Sequence, residues 1–168
     1  PSLSQPLMHH LVILLQMEKK MSVEVICKRV AGLDVHKKII VGTVLLENQT
    51  GKLYEEIKEF GTMLEDLSIL CQWLANHKVE LTVMESTGVY WKSIYAALEQ
   101  AGLNAQVVNA RHAKQVPGRK TDIKDSQWLA SLARFGLVKG SFIPDQSLRD
   151  LRLLTRYRFK LQRMIASE

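Results

Sequence analysis

The sequence predicts an α/β domain: a mixed five-stranded sheet with flanking helices and a basic helix at its C-terminal end. Three observations predict it. Strand-like runs joined by short turns fill residues 25–60, helical and strand spacing then alternate up to Gly136, and a charged amphipathic stretch closes the chain. The order β-β-β-α-β-α-β-α plus one further helix joins an antiparallel meander to crossover units, which yields a mixed sheet covered on its faces. With 46% apolar and 24% charged residues the chain has a globular composition, which excludes a disordered or collagenous protein. No apolar run approaches the ~20 residues needed to span a bilayer, so no membrane partner is expected.

The elements follow in order. Residues 1–20 read as an extension outside the fold: Pro1 to Pro6 is polar and turn-like, and Leu11 to Leu15 is an apolar burst too short for a secretory signal. Val25-Ile26-Cys27 and Val30-Ala31-Gly32-Leu33-Asp34-Val35 make the first strand region. A basic break at His36-Lys37-Lys38 separates it from the Ile39–Leu46 run, and Asn48-Gln49-Thr50-Gly51 turns the chain into a third strand from Leu53 to Phe60. Met63, Leu64, Leu67, Leu70 and Leu74 have helical spacing. Val79–Glu85 is a short strand, and Ser86-Thr87-Gly88 is a turn suited to cap the next helix, which stops at Gly102. Asn104–Val108 is the fifth strand, Val116–Lys120 a loop, and a helix runs from about Thr121 to Gly136. The last helix starts after Pro144.

The charge is unevenly divided. Residues 1–104 hold 10 Lys/Arg against 12 Asp/Glu, whereas residues 105–168 hold 13 against 5. The basic excess therefore lies wholly in the C-terminal part, and it suits either a polyanionic partner such as nucleic acid or a solvated helical surface. Two cysteines, Cys27 and Cys71, form neither a disulfide framework nor a zinc motif and fit a reducing cytoplasm.

Four acids stand out. Asp34 interrupts an apolar strand, where an ionised carboxylate is costly unless paired, exposed at the strand end or bound to metal. Glu85 ends a strand, the position where sites gather in open α/β sheets. Asp122 and Asp125 are three apart at a helix start and share a face. Each has a plain structural reading, as a strand-end acid or as a first-turn acid offsetting the helix dipole. Together they can converge at one sheet edge, within a span of about 10 Å. Hard oxygen ligands suit Mg2+ or Mn2+, and two such ions about 3.5–4 Å apart serve phosphodiester chemistry.

The stretches Gly32-Leu33-Asp34-Val35-His36-Lys37, Met84-Glu85-Ser86-Thr87-Gly88-Val89-Tyr90-Trp91 and Lys120-Thr121-Asp122-Ile123-Lys124-Asp125-Ser126 resemble, in order, the motifs of the DEDD insertion-sequence transposases. That family is related to the Piv-type DNA invertases and includes bridge-RNA-guided recombinases. The resemblance covers roughly residues 25–165. It implies a ribonuclease-H-like, RuvC-like domain over residues 21–144, with residues 145–168 beginning a helical linker toward a further, serine-bearing domain. It also implies Asp34, Glu85, Asp122 and Asp125 as catalytic metal ligands, Mg2+ or Mn2+ as cofactor, and DNA with a structured guide RNA as partners. Metal-dependent strand cleavage and transfer, homo-oligomerisation through the C-terminal helix and a cytoplasmic, nucleoid-associated location in a bacterium or archaeon belong to the same expectation. Two rivals are a nucleic-acid-binding domain inactive in isolation and a stand-alone junction resolvase.

Among the remaining residues, Lys37, Arg119, Lys120, Arg152, Arg156 and Arg163 are the expected nucleic-acid contacts. Leu148, Leu151, Leu154, Tyr157, Leu161 and Met164–Ile165 recur at three or four in the last helix and read as a packing face. Ser86 and Thr87 read as turn or cap residues rather than nucleophiles. His36, His77 and His112 read as surface residues, and Trp91 and Trp128 as core aromatics.

Overall fold

A computed structural model describes residues 24–86, 88–109, 113 and 124–167. Its strands are β1 (Arg29–Val35), β2 (Ile40–Glu47), β3 (Leu53–Phe60), β4 (Leu81–Glu85) and β5 (Ala105–Val108). The described helices are α1 (Leu64–Asn76), α2 (Trp91–Gln100), α3 (Asp125–Arg134) and α4 (Gln146–Ile165). The five strands form one sheet in the order β3-β2-β1-β4-β5. The β1–β2 and β2–β3 pairs are antiparallel, and the β1–β4 and β4–β5 pairs are parallel. A three-stranded meander extended by two parallel crossover strands is the ribonuclease-H-like arrangement the element order predicts.

Strand alternation sorts the core into two layers. Ala31, Leu33 and Val35 of β1, with Met84 and Val107, pack beneath α1 and α2 against Leu67, Leu70, Trp73, Leu74, Ile94 and Leu98. On the opposite face Val30, Leu45, Val83 and Val108 meet Leu129, Ala130, Leu132 and Ala133 of α3. The second layer is thin because its facing residues are small. Ser126, Ala130 and Ala133 recur at intervals of four and three along α3, and Gly32 lies opposite them. A Cβ on Gly32 would stand 2.1 Å from the Ser126 carbonyl oxygen and 2.5 Å from the Ala130 nitrogen. Ser126 and Thr43 close the same contact through a buried hydroxyl–hydroxyl bond of 2.9 Å.

Both ends of this unit are tied down. The Arg134 carbonyl accepts from the amides of Ile26 and Cys27 at 3.0 and 3.2 Å, and its guanidinium pairs with Glu47. Arg29 donates to the carbonyls of His77 and Lys78, satisfying acceptors at the C-terminal end of α1. Residues 140 and 141 cover β5, with Gly140 bridging Val108 and the Ser141 amide donating to the Val107 carbonyl at 2.7 Å. The outer strand β3 carries Glu55, Glu56, Lys58 and Glu59, charges that discourage edge-to-edge pairing.

Three local expectations change. Val25-Ile26-Cys27 is not strand: its amides are drawn to the end of α3 instead, and β1 begins at Arg29. Val89 lies exposed in the turn before α2 rather than on its apolar face. No side chain caps α2, and the Ser86 amide instead donates to Val108 of β5. The expected extension 1–20, the loop at Val116–Lys120 and the first residues of the helix placed at Thr121 lie outside the described residues.

Candidate active site

Asp34 follows Gly32 by two residues, so it projects from the same sheet face, the one covered by α3. On β4, Val83 faces α3 and Met84 faces away, which returns Glu85 to the α3 side. The last paired residues of β1 and β4 are Leu33 and Met84. One register step further, Asp34 and Glu85 stand side by side at the carboxyl ends of two adjacent parallel strands. Asp125 is the first residue of α3, the helix that Gly32 admits to this face.

The three carboxylates share one electrostatic field. Burial is the largest influence raising the Asp34 carboxyl above the usual carboxylate range, and the charges of Asp125 and Glu85 push it the same way. His36 opposes them through its charge and its hydrogen bond: its Nε2 lies 3.1 Å from Asp34 Oδ2. The Asp34 side chain retains 25% of its exposure and that of His36 61%, so the pair opens to solvent. His36 is the surface residue expected of it, and its ring also reaches the Asp34 carboxylate. The pairing is not visible in the sequence, because His36 lies one residue beyond the end of β1 and meets Asp34 only through the turn that follows.

Asp122, Arg119 and Lys120 lie outside the described residues. Among the described residues, no group of three or more His, Cys, Asp or Glu is gathered tightly enough to hold a metal ion. The donor set is nevertheless of the right chemical kind, since Asp34, Glu85 and Asp125 are all hard oxygen donors.

A family model described as Transposase, of the DEDD type named for IS110, matches residues 31–168. The chain belongs to the DEDD transposases. The match runs from within β1, at Ala31, through every later element to α4. No curated protein matches in sequence. Solved structures similar to this transposase chain include Thermus thermophilus RuvC in complex with a Holliday junction substrate, at 13% identity and a TM-score of 0.48, covering 67% of this chain and 99% of that one. Another is the Fowlpox virus resolvase with substrate Holliday junction DNA, at 12% identity and a TM-score of 0.39, covering 55% and 65%. A third is the Aquifex aeolicus member of the Ppx/GppA family, at 15% identity and a TM-score of 0.34, covering 51% and 36%.

The described members of the expected nucleic-acid contacts fall in two places. Lys37 sits exposed in the β1–β2 turn, beside the acids, and its carbonyl accepts from Thr62 Oγ1 at 3.3 Å. Arg152, Arg156 and Arg163 are exposed along α4. The expected packing face of α4 finds no cover among the described residues, and none of its own residues is buried. Trp128 is partly buried against the α3 layer, with Nε1 donating to the Ala113 carbonyl at 2.9 Å. Trp91 is only partly buried against the core beneath α2. Among the described residues no helix is long and apolar enough to cross a membrane.

Proposed function

We propose that this chain is the catalytic, RuvC-like region of a DEDD transposase and cuts and joins DNA strands with a divalent metal ion. The observation that carries the reading is the juxtaposition of Asp34 with Glu85, one register step past the Leu33–Met84 pair, under the N-terminus of α3 that bears Asp125. In this reading Asp34, Glu85, Asp122 and Asp125 hold Mg2+ or Mn2+. When bound, such an ion supplies Lewis-acid polarisation of a phosphodiester oxygen. The protein's own groups do the rest. Rigid attachment to strand ends and to α3 fixes the carboxylates, His36 holds the Asp34 carboxylate by its Oδ2, and the acids repel a bare phosphate, which makes DNA engagement at this edge dependent on cation.

Around this edge Lys37, Arg119 and Lys120 contact the phosphate backbone, and Arg152, Arg156 and Arg163 extend the contact along α4. Phosphate contacts of this kind set affinity and position rather than sequence choice. Target choice belongs to a structured guide RNA, and α4 joins two copies of the chain. The protein acts in the cytoplasm on nucleoid DNA.

A second reading, a nucleic-acid-binding domain without chemistry of its own, is favoured by the absence of a three-acid metal group among the described residues. Calorimetry with manganese separates the two. Catalytic function requires a binding heat with the native chain that Asp34→Ala abolishes. Equal signals from both would leave only the binding reading.

A further inference from the structure

A cleft of about 410 Å3 opens between α2 and the first half of α4, away from the acids. Trp91, Tyr95 and Phe142 line it together with Lys92, Arg152, Arg156 and a single acid, Asp150. Its wall is set before any ligand arrives. Trp91 and Tyr95 meet edge to face, with centroids 6.1 Å apart and planes at 80°. Arg149 lies over the Tyr95 ring at 5.5 Å, pairs with Glu99 and donates to the Pro144 carbonyl at 2.6 Å. That arrangement pins the start of α4 to α2 and holds the cleft open. Phe142, by contrast, is 85% exposed and belongs to neither core layer. No ion pair or hydrogen bond to another described residue engages the side-chain charges of Lys92, Arg152 or Arg156.

We propose that this cleft receives an unpaired nucleotide of a DNA strand, its base stacked against Trp91 and Phe142 and its phosphates met by Lys92, Arg152 and Arg156. Aromatic faces interleaved with unpaired cations are the chemistry of single-stranded nucleic-acid sites. A paired base hides its faces in the duplex stack, so the aromatic lining selects an extruded or single-stranded base. Placement agrees: Trp91 opens α2 only six residues after Glu85, at the end of the helix that follows the acidic strand edge. The inference rests on the DNA reading given above and adds to it a site for a strand that has left its complement.

The test uses an oligodeoxynucleotide of about ten residues, within the span of known single-strand sites, with 2-aminopurine at its centre. It is titrated onto the metal-free chain as single strand and as duplex. The native chain should quench the aminopurine of the single strand. Phe142→Ala, which leaves the core untouched, should abolish the quenching and weaken single-strand binding about tenfold, with duplex affinity unchanged. Lys92→Gln should lower the salt slope for the single strand by about 0.7. Native quenching and affinity in Phe142→Ala would overturn the inference. So would a native chain that binds duplex but not single strand, with the DNA reading left standing. If neither form binds, whether Mn2+ is added or not, that reading falls together with the inference. An RNA of the same sequence bound tenfold more tightly than the DNA would overturn the assignment to a DNA strand.

Discussion

Gly32 on β1 lies so close to Ser126 on α3 that any Cβ there would stand 2.1 Å from the Ser126 carbonyl oxygen. This contact decides where α3 sits, and α3 carries Asp125 to the sheet face that holds Asp34 and Glu85. A glycine of ordinary backbone conformation thus acts through space rather than through φ. The close approach is lined on the helix side by backbone, which cannot turn aside as a flexible side chain would.

Gly32→Ala should therefore lift α3 from the sheet. The overlap involves two backbone atoms, so relief requires movement of the whole helix, at a cost of about 1–3 kcal/mol or more. Urea denaturation should report that loss as a lower midpoint with an unchanged slope. Manganese binding, where the native chain shows it, should weaken as Asp125 retreats. A variant as stable as the native chain would mean that α3 is not seated on Gly32.

The hydroxyl pair beside it offers a cleaner measurement. Thr43 and Ser126 are both buried and lie 2.9 Å apart. Thr43→Val leaves the Ser126 hydroxyl buried without that partner, which should cost about 1–3 kcal/mol. Adding Ser126→Ala removes the orphaned group, and the double variant should recover part of the loss. A double-mutant cycle gives the coupling directly; additive effects would place the hydroxyls out of contact in solution.

Much of this was legible in the sequence, for definite reasons. The five strands, their succession along the chain and the mixed character of the sheet follow from hydrophobic period and turn chemistry. The turn at Asn48–Gly51 and the stop at Gly102 fixed two boundaries, and Gly51 and Gly102 both adopt positive φ. What escaped is tertiary. Ile26 and Cys27 have strand composition, yet the Arg134 carbonyl captures their amides. His36 looked like one of several surface histidines, because its partner is recognisable only once Asp34 is held at the strand end. The exposure of α4 escaped as well: its apolar spacing predicts a packing face, and periodicity does not say whether the partner lies within the chain.

Glu56 provides an acid-sensitive contact far from the carboxylate edge. Trp73 Nε1 donates to its Oε1 at 2.8 Å, and the Tyr54 hydroxyl donates to Oε2 at the same distance. These bonds, the tryptophan's first, hold the Glu56 carboxyl below the usual glutamate range. A carboxyl lowered on folding stabilises the protein fully above its unfolded pKa of about 4.3, and the contribution vanishes as pH falls through the folded value. Glu56→Gln should thus destabilise the chain at neutral pH, and its deficit should shrink on acidification below about pH 4. Thermal melts of both proteins across that range test it, and a deficit independent of pH would assign the loss to packing rather than charge.

The last prediction concerns α4, a helix of 20 residues with none buried. Leu151, Leu154, Tyr157, Leu161 and Met164 are all exposed along it. An isolated helix of this length is marginal in water, and its stability ordinarily comes from covering an apolar face. The Asp145 side chain caps its start, accepting from the Leu148 amide at 2.8 Å, but caps alone do not hold five further turns. The proposed self-association through α4 supplies the missing cover. Sedimentation equilibrium should therefore find a dimer, with helical signal rising with protein concentration. Leu154→Glu with Leu161→Glu should return the chain to monomer and lower its helix content, while the urea midpoint of the core stays the same, because neither leucine touches the sheet layers. A native chain that stays monomeric at all concentrations while keeping full helicity would show that α4 stands without a second copy.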